Sequence, residues 1–452
     1  MSRRQRLRLP GLFALAVLVA GLLGLPTASA QVFNPKTFTL DNGLQVVVIS
    51  NHRSPIVTHM VWYKTGAADE AWGKSGIAHF LEHLMFRGTR DIPPGEFSKI
   101  VARNGGRDNA FTSYDYTAYF QNVSRDRLEL VMKLEADRMA NLVLTDEIVN
   151  PERDVILEER RQVVENRPAS LLREQTGAAM YLNHPYGRPI IGWEHEMRGL
   201  TREDAVNWYK TYYAPNNAIL IVAGDITVED LKPLAERYYG PIAARPIPER
   251  HRPQEPPPRA ARRVELKDSR VPQPSVTRTY LAPSYVSGEK EHAYALQVLA
   301  ELLGGATTSR LNRALVVDQK IATSAGSWYD ADALDLTTFA ISASARPGVA
   351  IGDVEAALDR EIERLLKDGA RDDEVARAKE RMRASAIYAR DSLSTGARVI
   401  GSALATGQSI ADVEAWPQRI GAVTTAQVNA AARAILQPER SVTGLLLPKP
   451  SS

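Results

Sequence analysis

His79-Phe80-Leu81-Glu82-His83 is the stretch on which the reading of this chain turns. Residues four apart on an α-helix lie one turn above each other, so His79 and His83 would present two imidazoles side by side. Glu82 leans to the same side and sets a carboxylate beside whatever those imidazoles hold. Ile77, Phe80, Leu81, Leu84 and Met85 recur at i, i+3, i+4, i+7 and i+8, the apolar stripe of a helix packed on a core. Gly88 is expected to stop that helix. Two histidines and an acid on the opposite face suit a metal ion with a general base beside it. They suit equally a surface helix carrying two solvated histidines.

A zinc site asks for a third protein ligand and keeps one position for water. Asn150-Pro151 reads as an N-cap followed by proline at N1, opening a second helix. On it Glu152 and Glu159 are seven apart and project to one side with Ile156 and Val163. Carboxylates on an apolar stripe are costly unless a metal or hydrogen bonds satisfy them. Glu159 is therefore the ligand candidate and Glu152 a residue that supports the site, whereas Glu158 points elsewhere. Arg153, Asp154, Arg160 and Arg161 leave a charged surface helix open as the other reading. Between the two helices, Asn109-Ala110-Phe111-Thr112-Ser113-Tyr114-Asp115-Tyr116-Thr117 has the pattern of a strand, a turn and a second strand.

The 452 residues exceed one ordinary core, and 44% hydrophobic with 24% charged content is that of a soluble globular protein of two or more domains. Residues 1–30 read as a secretory signal peptide: Arg3, Arg4, Arg6 and Arg8 precede the apolar run Leu12 to Leu25, and Ala28-Ser29-Ala30 fits the cleavage rule. The run is short for a membrane span, which needs about 20 residues. The leader holds four arginines and no acid, so without it the formal charge falls from +3 to −1. No nucleic-acid or stable membrane partner is implied. With no cysteine, disulfides, a thiol nucleophile and thiolate ligands are excluded. A protein exported across the inner membrane, periplasmic in a cell with two membranes, fits these features.

Strands are expected at Phe38 to Leu40, Leu44 to Ile49 (after an Asp41-Asn42-Gly43 turn) and Ile56 to Tyr63, and helices at Asp126 to Asn141, Thr201 to Tyr213 and Val354 to Lys367. Their mixture predicts an α+β fold rather than a doubly wound one. The proline-rich run 246–263 reads as an extended linker between an N-terminal domain, 31–245, and a C-terminal one, 264–452. The halves look duplicated. Thr201 and Pro215 bracket a helix before the strand Ala218 to Val222. Thr424 and Pro438 bracket another before Ser441 to Leu447, offset by 223 residues in both pairs. The second half carries no HxxEH.

Gly76-Ile77-Ala78-His79-Phe80-Leu81-Glu82-His83-Leu84-Met85-Phe86-Arg87-Gly88-Thr89 resembles the pitrilysin-type zinc peptidases, the inverzincins whose HxxEH inverts HExxH. The family's further glutamate follows the second histidine by about 76 residues, where Glu159 stands, with another seven before it, where Glu152 stands. The resemblance covers the whole chain beyond the leader. It implies two homologous α/β halves, each a mixed or antiparallel sheet covered by helices, forming a bowl. It implies His79, His83 and Glu159 as zinc ligands, Glu82 as the base in hydrolysis of peptides, and Glu152 orienting a ligand histidine. It also implies that Asn109 and Ala110 lie on an edge strand that binds substrate through its backbone. Single-chain members carry an arginine and, seven residues on, a tyrosine that hold the substrate. Aligned on Ser309-Arg310-Leu311, those positions are Val316 and Thr323, and the alternatives Arg313 and Tyr329 have the wrong spacing. The resemblance thus implies the zinc-bearing subunit of a heterodimer, whose homologous metal-free partner supplies the arginine–tyrosine pair. The competing expectation is a non-catalytic structural or assembly subunit of the same family.

Overall fold

The computed structural model describes residues 32–449, so the expected signal peptide lies outside the described residues. The strands are β1 (Lys36–Thr39), β2 (Gln45–Ser50), β3 (Ile56–Tyr63), β4 (Arg107–Thr112), β5 (Thr117–Ser124), β6 (Ala218–Gly224), β7 (Arg262–Asp268), β8 (Ser275–Ala282), β9 (Ala322–Tyr329), β10 (Thr337–Ala345) and β11 (Ser441–Pro448). They form two mixed sheets, ordered β1-β2-β6-β3-β5-β4 and β7-β11-β8-β10-β9. Each has one parallel pair, β2 with β6 and β7 with β11, and is otherwise antiparallel. With β1 set aside, the two strand orders are the same. The 223-residue offset also holds: helices Arg202–Tyr212 and Thr425–Ile435 each open on a threonine that accepts the N–H of the third residue on, and β6 and β11 follow at the same distance. This is the α/β architecture of two like halves expected from the sequence.

β2, β3 and β6 are apolar almost throughout because both faces of the first sheet are covered. Val46, Val48, Val61, Leu220 and Val222 face the first half's own helices, including Ile77–Leu84. The alternate residues Val47, Met60, Trp62, Ile219 and Ile221 face helix Leu393–Ala405, which comes from the other half. The exchange is reciprocal. Helix Pro168–Met180 of the first half lies on the second sheet, with Leu172 against Leu446 and Met180 against Val442. Both contacts are close enough to require glycine. A Cβ at Gly401 would stand 2.1 Å from the Trp62 ring, and one at Gly444 would stand 2.7 Å from Thr176 Cγ2.

The proline-rich run has no regular secondary structure over 246–259, its last two residues, Arg262 and Arg263, already belong to β7, and it is pinned rather than free. Glu255 accepts the N–H groups of Leu182, Asn183 and His184 at 2.7–3.0 Å. Arg250 and Arg252 bond to carboxylates and carbonyls of the core.

Two helix boundaries differ from the sequence reading. The helix bearing Glu159 spans Asp146–Arg160, so Asn150-Pro151 does not open it; Thr145 does, its C=O taking Ile148 and Val149 N–H. Pro151 is the sixth residue, inside the helix, and its missing N–H removes one i→i−4 bond, while Asp146 and Glu147 favour the earlier start at the positive end of the helix dipole. Helix Ile77–Leu84 ends before Gly88, at Met85, whose N–H bonds to Leu81 C=O. Gly88, with φ +111°, makes the turn beyond it, where a Cβ would meet Ile92 C=O at 2.8 Å. The other three helices occur at Leu128–Asn141, Arg202–Tyr212 and Ile351–Asp368.

Behind the first sheet Arg138 and Glu135 form a buried pair, with Arg138 Nε on Oε1 at 2.8 Å and a terminal nitrogen on Oε2 at 2.6 Å. The guanidinium also lies over the rings of Phe86, Phe97 and Tyr119 at 4.3–4.9 Å. Removing one partner of such a pair leaves a buried charge uncompensated. Arg138→Ala is expected to lower the unfolding free energy by about 3–5 kcal/mol in denaturant titration; a loss within ordinary surface scatter would refute this account of the pair.

Candidate metal centre

Helix Ile77–Leu84 starts from Gly76, a residue with φ +90° and no side chain to cap the first turn. Glu70 supplies the missing acceptors from the preceding loop, taking Gly76 N–H on Oε2 and Ala78 N–H on Oε1, both at 3.0 Å. Burial pushes this carboxyl up to about 8 against the pull of the two amides, so it caps the helix as a hydrogen-bond acceptor rather than as a charge. Ile77, Phe80, Leu81 and Leu84 are buried in the core, so the face carrying His79, Glu82 and His83 is fixed against helix Asp146–Arg160 and β4.

One donor atom each from His79, His83 and Glu159 lies within 4.8 Å of the others. Glu159 Oε2 is 3.3 Å from His83 Nε2 and 3.8 Å from His79 Nε2, and though buried it makes no hydrogen bond of good geometry. The other ring nitrogen of His83, Nδ1, bonds to Glu152 Oε1 at 2.9 Å. A carboxylate there selects the Nδ1–H tautomer and leaves Nε2 a bare acceptor pointing at another acceptor. Arg87 pairs with the second oxygen of Glu152. Such convergence of acceptors needs a positive charge at its centre. A proton is one way to supply it: burial opposes the His83 imidazolium, but Glu152 and Glu159 outweigh burial and lift it to about 9. Burial and the neighbouring His83 push His79 down to about 4. A divalent cation is the other way, and two imidazole nitrogens with a carboxylate oxygen are a donor set that fits zinc.

Glu82 is 8% exposed, and burial pushes its carboxyl up to about 6 against the pull of Thr112, whose hydroxyl donates to Oε2 at 2.5 Å. Thr112 stands on β4. That strand pairs with β5 alone among the described strands, so its other edge is open. Asn109 and Ala110 lie on β4, and Ala110 N–H donates to Asn109 Oδ1 at 2.8 Å instead of to a strand. Ala110 packs toward the core that holds the HxxEH helix, and Phe111 packs on the opposite face of the sheet.

The structure thus brings His79, Glu82, His83, Glu152 and Glu159 together and sets Asn109 and Ala110 on the adjacent open edge. His79 and His83 are partly buried, 13% and 24% exposed, and both face Glu159 rather than open solvent. Three contributors were not singled out from the sequence: Glu70, Arg87 and Thr112. Thr112 falls two residues beyond Ala110 on the same strand face, so the strand period could have flagged it, whereas Arg87 lies past the end of the helix in the turn that follows, where no period places it. Nothing in the sequence marks Glu70. In the second half, Val316 packs against the core and Thr323 is exposed on β9. Of the two alternatives, Tyr329 donates to Pro283 C=O at 2.6 Å, while Arg313 is largely exposed, with only a 3.7 Å ion pair to the exposed Asp318.

A duplicated α/β fold with HxxEH on the first half belongs to the inverted-motif peptidase class. Two family descriptions match in succession, Insulinase (Peptidase family M16) over residues 45–194 and Peptidase M16 inactive domain over residues 199–382. Zinc protease PqqE of Helicobacter pylori is 34% identical over 368 residues, 80% of each chain. An uncharacterized zinc protease of Streptomyces coelicolor is 30% identical over 426 residues, 92% of this chain and 90% of that one. The crystal structure of a protease from Helicobacter pylori matches with a TM-score of 0.86 and 30% identity, over 92% of this chain and all of that one. The chain belongs to peptidase family M16.

The entry to the HxxEH helix offers a test of how tightly it is held. A Cβ on Gly76 would meet Met197 Sδ at 2.3 Å and Ile191 C=O at 2.8 Å, whereas Gly73, with a similar φ of +80°, has nothing within 4 Å. Gly73→Ala should cost only the left-handed strain of about 1 kcal/mol. Gly76→Ala should cost about 2–4 kcal/mol once overpacking is added. Equal thermal midpoints for the two variants would contradict that packing.

Proposed function

We propose that this chain is a zinc-dependent metalloendopeptidase that hydrolyses peptides or short unfolded polypeptides, acting as the zinc-bearing subunit of a heterodimer. The observation that carries the reading is the convergence of His79, His83 and Glu159 within 4.8 Å, with Glu82 beside them and an open strand edge alongside. His79 Nε2, His83 Nε2 and Glu159 Oε2 hold the metal, and Glu152 with Arg87 keeps His83 in the ligating tautomer. A zinc ion held there would supply Lewis acidity toward a peptide carbonyl and make a water molecule easier to deprotonate. Glu82 takes the proton of the attacking water and passes it to the departing amine. Thr112 holds one oxygen of Glu82, leaving the other free for that transfer. The substrate adds as a strand to β4, taking the Ala110 N–H from the Asn109 side chain.

No covalent intermediate is required, in keeping with the absence of cysteine. The non-catalytic reading is disfavoured because a subunit kept only for assembly has no use for a complete donor set with a buried acid beside it. Val316 and Thr323 stand where single-chain members carry arginine and tyrosine, which supports a partner: a homologous, metal-free subunit closing with this one around the peptide. Residues 1–30 support export, with a periplasmic site of action in a cell with two membranes.

Glu82→Gln should leave zinc stoichiometry unchanged while reducing peptide cleavage by about 10²–10⁴-fold, the usual share of a general base; full activity in that variant would sink the assignment. Purified alone, the chain should bind one zinc yet cleave a mixed peptide pool poorly, and cleavage should rise when the partner is added. Vigorous turnover by a verified monomer or homodimer would overturn the heterodimer.

A further inference from the structure

We propose that Arg252, on the proline-rich strap, is a positioning residue that fixes the substrate strand β4 relative to the HxxEH helix and to the second half of the chain. This rests on the reading of β4 as the edge to which a peptide adds. Arg252 lies 137 residues from Asp115, yet one terminal nitrogen bonds to Asp115 Oδ1 at 2.5 Å and to Asp335 Oδ2 at 3.0 Å. The other bonds to Asp69 Oδ1 at 2.8 Å. The side chain is 7% exposed, and those of Asp69 and Asp115 are 4% exposed. Pro253 follows it and restricts Arg252 to extended backbone, so the strap delivers the guanidinium without entering a sheet.

The three acids sit at three different joints. Asp115 is in the turn between β4 and β5, three residues beyond the Thr112 that holds Glu82. Its second oxygen takes Tyr186 O–H at 2.6 Å and Leu334 N–H at 3.1 Å. Asp69 is in the loop entering the HxxEH helix, next to the Glu70 that caps it, and it also takes Gly66 N–H at 3.0 Å. Asp335 belongs to the second half, and His184 Nε2 lies 3.1 Å from it. Arg250, two residues earlier on the strap, repeats part of the pattern, bonding to Asp69 Oδ2 at 3.2 Å and Asp115 C=O at 2.8 Å. The rigid guanidinium plane spreads these bonds over two nitrogens, whereas a lysine ammonium, though it has three donors, gathers them on one atom at the end of a flexible stem and cannot span the same three carboxylates in this geometry.

With the clasp loosened, the turn between β4 and β5 would sample displaced positions, and only the fraction with β4 in place could accept a peptide. Apparent affinity falls in proportion to that fraction, while a bound peptide restores the strand. The test compares Arg252→Lys and the milder Asp335→Asn with the parent chain, each with its partner subunit for kinetics. Backbone amide exchange over residues 108–112 should quicken by about tenfold in Arg252→Lys and less in Asp335→Asn, KM should rise by a similar factor, and kcat should change by less than about twofold. Zinc affinity, from competition with a chelator, should stay unchanged. Unchanged exchange in β4 for both variants would overturn the proposal, and so would uniformly faster exchange across the molecule, which marks a merely structural role. Exchange and zinc binding are read without turnover. A chain that cleaves nothing at all would defeat the peptidase reading while β4 exchange still judges the clasp.

Discussion

The strands β2, β3 and β6 carry apolar residues on both faces, and a sheet of that kind cannot leave one side in water. Most of the molecule follows from that constraint. One face takes the first half's own helices, among them Ile77–Leu84, which is pressed on the core through Ile77, Phe80, Leu81 and Leu84 and so must hold its histidines to the other side. The opposite face takes helix Leu393–Ala405, so the second half is part of the first half's core rather than a neighbour on a tether. Helix Pro168–Met180 returns the contact on the second sheet. The proline-rich strap is then pinned between bodies that already interlock.

Within that frame, charge is arranged by pairing. Each acid near the candidate metal centre has a defined counterpart: Glu152 has His83 and Arg87, Glu70 has two backbone amides, and Glu82 has the Thr112 hydroxyl. Glu159 Oε2 is the exception, buried and facing two ring nitrogens. The second half shows the same architecture without this chemistry. Helix Ala293–Gly304 follows β8 as the HxxEH helix follows β3, but it is apolar almost throughout, and its Glu301 pairs with Arg381. Two halves of one topology therefore differ in what they can do because of a handful of side chains, not because of the fold.

The site and the fold were legible to different depths in the sequence. The HxxEH spacing and apolar stripe gave the helix and its two faces, because both are set by the 3.6-residue period. The apolar stripe shared with Ile156 and Val163 singled out Glu159 on its own helix, but the 76-residue step that joins it to His83 was legible only through family resemblance, since no local rule relates residues so far apart. The strand order common to both sheets was foreshadowed by the 223-residue offset, which repeats at the caps of Thr201 and Thr424. Pro151 misled. Proline at N1 is a good prior, but Thr145 with two following acids offered an earlier start, and the helix tolerates the missing donor.

What the sequence determined by itself is what bonded neighbours control: the periods, the turn at Asp41-Asn42-Gly43, the candidate ligands on one helix face, and the absence of thiol chemistry. Tertiary structure alone decided which distant groups meet. Glu70 reaching the helix N-terminus, Arg87 closing on Glu152, the exchange of helices between halves and Arg252 among Asp69, Asp115 and Asp335 all join positions whose separation carries no local signal. Such partners are fixed only when two apolar faces have already packed, because packing sets the few directions in which a buried charge can find its counterpart.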